Sequence, residues 1–284
     1  MSDHQHHDHD DHGGFARDVP HLVGRRHALA LFGGLGLAGA LAACGANGDP
    51  SFSASSSPVS SSVPTSSQSG GSSTSLVASA GAAISQETQG PYPADGSNGP
   101  NILTDGAIVR SDITTSVADM TGTADGVPLE IALTIVDAST GSAIPGAALY
   151  LWHCTADGRY SIYEERDQNY LRGVQVADDN GRVSFTTVFP GCYAGRWPHA
   201  HFEVFDSLDV ATSGAAARRT SQLALPEGDC NAVYADSRYG NSAGSLSRLS
   251  LDTDGVFRDG WADQLATVSG SVTDGYTASL LVRV

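Results

Sequence analysis

Hydrophobic and polar positions alternate along the C-terminal part of the chain. From Val127 onward, Leu129, Ile131, Leu133 and Ile135 alternate with Glu130, Ala132, Thr134 and Val136, the two-residue period of a strand with one face against a core. Ser139-Thr140-Gly141 breaks the run. Residues 147–153 (AALYLWH) are short and apolar on both faces, as in a central strand of a sandwich. Asp178-Asp179-Asn180-Gly181 marks a turn, Val183, Phe185, Thr187 and Phe189 alternate after it, and Pro190-Gly191 ends the strand. Near the C-terminus, residues 266–272 and 276–284 flank Asp274-Gly275, a hairpin signal. No long segment has a helical period, and residues 231–235 are the best candidate for one or two helical turns. The pattern predicts an all-β chain with a single β-sandwich domain of roughly 200 residues.

The N-terminal part reads differently. Residues 28–43 (ALALFGGLGLAGALAA) form an apolar run of sixteen, shorter than the roughly 20 residues that a spanning helix needs. Arg25 and Arg26 precede it, and Leu41-Ala42-Ala43-Cys44 closes it with small residues before a cysteine, the layout of a secretory signal. The segment resembles a bacterial lipoprotein signal with Cys44 as the lipidated first residue, and the Arg pair resembles a twin-arginine export signal. Residues 1–12 hold five of the ten His and read as a disordered leader removed with the signal. From residue 44 to 85 the chain is mainly Ser, Ala, Gly, Pro and Thr, too polar and uncharged to offset the entropy of folding. The expected organisation is a signal peptide over 1–43, a Ser-rich disordered tether over 44–85 and a catalytic domain over 86–284. The expected location is the outer face of a bacterial cytoplasmic membrane, held by the lipid on Cys44.

Charge narrows the partners. Acids outnumber bases 31 to 15, and every base is Arg. No basic stripe exists to follow a phosphate backbone, which argues against nucleic acid. Once residues 1–43 are set aside, His153, His199 and His201 are the remaining imidazoles.

His199-Ala200-His201 lies in HAHFEVF, where a strand would project both imidazoles from one face. Tyr193 follows the Pro190-Gly191 turn and Tyr160 follows Gly158 in TADGRYSIY, on loops where a scaffold places reactive groups. The segments ETQGPYPAD (87–95), IPGAALYLWHCTADGRYSIY (144–163), LRGVQVADDNGRVSFTTVFPG (171–191) and CYAGRWPHAHFEVF (192–205) together resemble the intradiol ring-cleavage dioxygenases, the catechol and protocatechuate family. The resemblance implies a non-haem Fe(III) held by Tyr160, Tyr193, His199 and His201, with hydroxide as a fifth ligand. It also implies that Arg196, Tyr193 and Gln222 act in catalysis, and that Tyr92 and Arg196 contact a small aromatic diol that reacts with O2. Physical chemistry agrees with that donor set. Fe(III) is a hard ion suited to phenolate and hydroxide with imidazole, and a bound cation keeps a Tyr, whose free pKa is about 10, ionised. Two phenolates and a hydroxide balance three positive charges.

Other readings apply to the same residues. GSAIPGAALYLW also suits transthyretin-like sandwiches, so a lipid-anchored binding module without catalysis is the alternative. A cupin would need His153 as a third imidazole ligand, whereas Trp-His-Cys reads as hydrogen-bonded structure. Tyr163 rivals Tyr160 as the ligand. Arg159 and Arg172 are the basic residues able to reach a substrate carboxylate. An exported domain with Cys154, Cys192 and Cys230 is expected to form one disulfide. The pair expected is Cys192 with Cys230, which would brace the Tyr193 loop.

Overall fold

The computed structural model describes residues 78–284. The signal segment, Cys44 and the tether up to residue 77 lie outside the described residues. From Ala78 the chain is already tied to the domain. The N–H groups of Ala78, Gly81 and Ile84 donate to the carbonyls of Gly141, Ala138 and Arg283, and Ile84 is buried. Residues 78–84, placed before the expected boundary at 86, are therefore tied to the domain, with Ile84 as an apolar anchor.

The strands among the described residues are β1 (Pro128–Val136), β2 (Ala148–Trp152), β3 (Arg172–Val176), β4 (Arg182–Val188), β5 (His199–Phe205), β6 (Arg219–Ala224), β7 (Thr267–Ser271) and β8 (Gly275–Arg283). They form two four-stranded sheets, ordered β4-β1-β8-β7 and β3-β2-β5-β6. β1 pairs antiparallel with β4 and parallel with β8, and the second sheet is antiparallel throughout. The alternation around Leu129 becomes β1, with Leu129, Ile131 and Leu133 buried and Glu130 exposed. The Asp274-Gly275 signal becomes the β7–β8 hairpin.

The core lies between the sheets. Leu129, Ile131, Leu133, Val183 and Phe185 of the first sheet pack with Leu149, Leu151, Ala200, Phe202, Val204 and Leu223 of the second. Each such large apolar side chain contributes about 1.5–3 kcal/mol by leaving water. The opposite face of the second sheet is also covered. Ala148, Tyr150, Trp152, Val174 and Phe205 lie in a second cluster under Tyr92, Leu103, Ile108 and Tyr160. This double burial explains why residues 147–153 are apolar on both faces.

Among the described residues, three short helices, α1 (Leu208–Thr212), α2 (Glu227–Val233) and α3 (Ser242–Leu246), decorate the connections around β6. The expected helix at 231–235 is displaced toward the N-terminus. Pro226 stands at the N-cap, and Glu227 and Asp229 complement the positive end of the helix in its first turn. Among the described residues, no helix is long and apolar enough to cross a membrane.

Candidate metal centre

The strand register gathers one row of side chains on the outer face of the second sheet. His201 stands opposite Trp152 on β2 and Gln222 on β6, and Trp152 stands opposite Arg172 on β3. Directly opposed residues on adjacent strands share a face, and His199 joins them two residues before His201. The loop between β2 and β3 brings in Tyr160, and the connection between β4 and β5 brings in Tyr193 and Arg196.

The two loops approach through glycines. Gly158, at φ +87°, lets the Tyr193 Cβ come within 3.1 Å of where its own Cβ would be. A Cβ on Gly191 would stand 2.3 Å from the Ala156 carbonyl oxygen. Only backbone without a side chain fits this crossing.

Four donor atoms converge there. Tyr160 Oη lies 3.4 Å from Tyr193 Oη and 3.3 Å from His201 Nε2, Tyr193 Oη lies 3.3 Å from His199 Nε2, and the two Nε2 atoms lie 3.1 Å apart. Ligands about 2 Å from one centre in a tetrahedral arrangement stand about 3.3 Å apart. The two phenols and two imidazoles thus fit a single transition-metal ion. Among the described residues no cluster of three His, Cys, Asp or Glu side chains offers a rival site.

The imidazoles are prepared for ligation. His199 Nδ1 donates to the Trp197 carbonyl at 2.5 Å, which leaves Nε2 with its lone pair toward the centre. Burial holds the pKa of His199 well below its usual value, and Arg196 adds to the effect. Burial does the same at His201, followed by His199, Arg196 and Arg172, against an opposing contribution from the Thr88 carbonyl. The His201 ring stacks on Trp152 with centroids 4.9 Å apart and planes within 4°, and Tyr150 stacks on the indole at 4.9 Å.

Arg196 is buried beside the centre. Its Nε donates to Asp254 Oδ2 at 3.1 Å and its Nη2 to Gln222 Oε1 at 2.5 Å. Gln222 Nε2 then donates to the Thr88 carbonyl. Asp254 Oδ2 also accepts from the Trp197 N–H, and Oδ1 accepts from Val256 and Phe257 N–H. Tyr92 closes the site from above, its ring 5.0 Å from Tyr160 and 4.9 Å from Tyr163.

The structure therefore brings together Tyr160, Tyr193, His199, His201, Arg196, Gln222 and Tyr92. Tyr163 stands aside, its hydroxyl accepting from the Ala94 N–H. His153 is occupied at both nitrogens, Nδ1 with the Cys154 carbonyl and Nε2 with Thr187 Oγ1, so among the described residues no third imidazole is available as a cupin requires. Arg159 pairs with Asp157 and Glu165. Arg172 is fully buried and does not reach a substrate as a free cation.

The disulfide expected between Cys192 and Cys230 is not formed. Cys154, Cys192 and Cys230 are free and buried, and Cys192 Sγ faces the Arg196 carbonyl at 3.5 Å. Hydrogen bonds brace the Tyr193 loop instead, from the Cys192 N–H to Ser242 Oγ and from the Tyr234 hydroxyl to the Pro190 carbonyl. Sequence reasoning missed Asp254, which sits in a Asp252-Thr253-Asp254-Gly255 stretch that reads as a plain turn.

Known proteins share this arrangement of segments. A family model described as Dioxygenase matches residues 98–218. A chlorocatechol 1,2-dioxygenase from Pseudomonas putida is 30% identical over 125 residues, covering 37% of this chain and 46% of that protein. A catechol 1,2-dioxygenase from Pseudomonas sp. (strain EST1001) is 36% identical over 56 residues, 19% of this chain and 18% of that one. The chain thus spans less than half the length of these curated relatives. Among solved structures, an intradiol ring-cleavage dioxygenase from Tetranychus urticae superimposes with a TM-score of 0.53 at 26% identity, covering 70% of this chain and 92% of that chain. The shared sandwich, the order of the matching segments and these relatives make the chain similar to the intradiol ring-cleavage dioxygenases.

Proposed function

We propose that the chain is a non-haem Fe(III) dioxygenase that opens the ring of a catechol-type substrate between its two hydroxylated carbons, inserting both atoms of O2 to give a muconate-type diacid. The observation that carries this reading is the quartet of Tyr160, Tyr193, His199 and His201, whose donor atoms stand 3.1–3.4 Å apart. Two hard phenolate oxygens and two neutral imidazoles suit Fe(III). Bound there, the ion would accept both catecholate oxygens and make the ring reactive toward O2.

The chain's own residues do the remainder. Tyr160 is 2% exposed beneath Tyr92 and serves as the fixed phenolate. Tyr193 is only partly buried, on the loop nearer solvent, and is placed to take a proton from a substrate hydroxyl at its Oη. Arg196, oriented by Asp254 and Gln222, presents a permanent positive charge to the oxygen on which negative charge grows. Tyr92 and Trp152 wall the site with aromatic surface and limit water.

The test is to load the purified chain with Fe(III), look for the visible phenolate-to-iron absorption and follow O2 uptake with a panel of catechols. Tyr160→Phe and Tyr193→Phe should each lose or shift the band and lose turnover. A protein that binds no iron, or two variants that keep iron, absorption and full turnover, would refute the assignment. Export and anchoring at Cys44 belong to the same proposal, supported by Arg25-Arg26, the apolar run and Leu41-Ala42-Ala43-Cys44. Radiolabelled palmitate should enter the wild-type protein and not Cys44→Ala.

A further inference from the structure

One end of the row that carries His201 is Gln222, whose side chain is explained by Arg196. The other end is Arg172. Its guanidinium is fully buried, and among the described residues no carboxylate pairs with it. A buried charge is costly unless it is fully hydrogen-bonded. Arg172 meets that demand with neutral acceptors. Nε donates to Ser161 Oγ at 3.0 Å and Nη2 to the Ser161 carbonyl at 3.0 Å. Nη1 reaches the carbonyls of Tyr92 at 2.8 Å and Pro93 at 3.1 Å, and the Tyr150 hydroxyl at 3.2 Å.

Apart from the Tyr150 hydroxyl on β2, these acceptors come from two segments outside the named strands. One carries Tyr92, and the other carries Tyr160. Both hold unusual backbone just beyond the acceptor. Ala94, after Pro93, has φ +53°, and Ile162, after Ser161, has φ +73°, while Leu171, before Arg172 itself, has φ +57°. A β-branched residue at positive φ is a true outlier, and such strain persists only where the surroundings over-determine it. The guanidinium supplies that constraint by holding the carbonyl next to each bend. Tyr163 completes the junction. Its ring lies over the guanidinium at 5.6 Å, and its hydroxyl accepts from the Ala94 N–H at 3.0 Å.

We propose that Arg172 is a positioning residue that sets the Tyr160 phenol and the Tyr92 ring over His201 by drawing the backbones of their two loops into one planar fork. The proposal rests on the reading of this site as the active site. Lysine would keep the charge, but its three donors sit on one nitrogen at the end of a flexible stem and do not reproduce the fixed planar spread of Nε, Nη1 and Nη2 that spans the two segments.

The test uses Arg172→Lys and Arg172→Met in the full chain. In metal-free protein, hydrogen exchange is followed at Ala94, Ile102, Ile162, Glu164 and Glu165, whose N–H groups bond within or between the two segments. Both variants should speed exchange there by about tenfold or more, in both segments together, with amides of β1 and β8 changed by no more than about twofold. With Fe(III) bound, Arg172→Lys should keep iron, shift the phenolate-to-iron absorption and lower kcat by about 10²-fold with a smaller change in KM. Unchanged exchange in both segments overturns the proposal. So does loosening of one segment alone, wild-type exchange in the lysine variant, or equal acceleration in β1 and β8. If Arg172→Met does not fold, the lysine variant decides alone. A wild-type protein without the iron absorption would refute the active-site reading, and the metal-free exchange result would still judge Arg172.

Discussion

Asp254 is the most demanding point in the network around the candidate centre, and Asp254→Asn is the sharpest test of it. The carboxylate is fully buried with Arg196, and each of its oxygens accepts two N–H groups. Oδ2 takes Arg196 Nε and the Trp197 N–H, and Oδ1 takes the N–H groups of Val256 and Phe257. Asparagine has one oxygen. Either orientation of its amide turns an NH2 group toward two buried donors, and no rotation relieves both. Each buried donor left without an acceptor costs about 1–3 kcal/mol, and the Arg196 charge loses its counter-ion in the same step. Breaking a buried ion pair by removing one partner costs about 3–5 kcal/mol, which is the loss expected here.

The assay is denaturant unfolding of metal-free protein at pH 7, read as a midpoint at constant slope. The double variant Arg196→Met with Asp254→Asn should recover part of the loss, since a neutral pair no longer strands a charge. It should remain inactive, because the guanidinium proposed to stabilise the growing negative charge is gone. If Asp254→Asn unfolds within about 1 kcal/mol of wild type, the account of Asp254 as the anchor of Arg196 is wrong.

Other residues make separable predictions. Gly191→Ala would put a Cβ 2.3 Å from the Ala156 carbonyl oxygen, so a thermal melt should show a loss of about 1–3 kcal/mol. Gly228→Ala, in a helix with open space around it, should be neutral or stabilising by up to about 1 kcal/mol, and equal losses in both would refute the packing argument. Burial pushes the His153 pKa down to about 4. Between that value and an unfolded value of about 6.5 the unfolded chain binds the extra proton, so stability is complete above pH 6.5 and falls as pH drops toward 4. His153→Gln should remove roughly 3 kcal/mol of that loss, read by unfolding at pH 7 and pH 4, and parallel curves for the two proteins would contradict it. Burial also raises the thiol pKa of Cys154, Cys230 and Cys192, the last to about 12. At pH 8 a thiol reagent should label none of the three in folded protein and all three after unfolding without reductant. Only Cys154 labelling would restore the Cys192–Cys230 disulfide.

The parts of the molecule legible in the sequence are those encoded over short distances. Leu129 to Ile135 announce β1 by alternation, and Asp274-Gly275 announces the last hairpin. His199 and His201 share a face because two residues is the period of a strand. The 231–235 helix was misplaced because its start lies in Pro226 and the acidic first turn after it, a capping signal that apolar periodicity does not contain. Ile84 is a single apolar residue at the end of a polar tract, and nothing local reveals that its N–H reaches the Arg283 carbonyl. The cysteines show the same limit. Spacing and compartment suggest a bridge, while the direction of Cys192 Sγ toward the Arg196 carbonyl is set by how the Tyr193 loop packs.

The supports of the site are less legible than its ligands for a physical reason. A metal ligand must be a particular residue type, so the proposed ligands Tyr160, Tyr193, His199 and His201 stand out wherever they occur. A support needs only a donor or an acceptor at the right point, and the fold can bring it from anywhere. Asp254 lies 58 residues from Arg196, Gln222 lies 134 residues from Thr88, and Arg172 lies 80 residues from Tyr92. The first of these bonds ties Arg196 to the turn at Asp254, and the other two tie the segment that carries Tyr92 to the sheet that carries His199 and His201. The two ends of the row through His201 are therefore equivalent in kind: Gln222 joins Arg196 to the segment of Thr88, and Arg172 joins the Tyr160 loop to the segment of Tyr92. The same stretch of chain, residues 87–95, is held at both ends, so its position over the imidazoles depends on both. Loosening either end should let Tyr92 drift from Tyr160 even though no metal ligand has been changed.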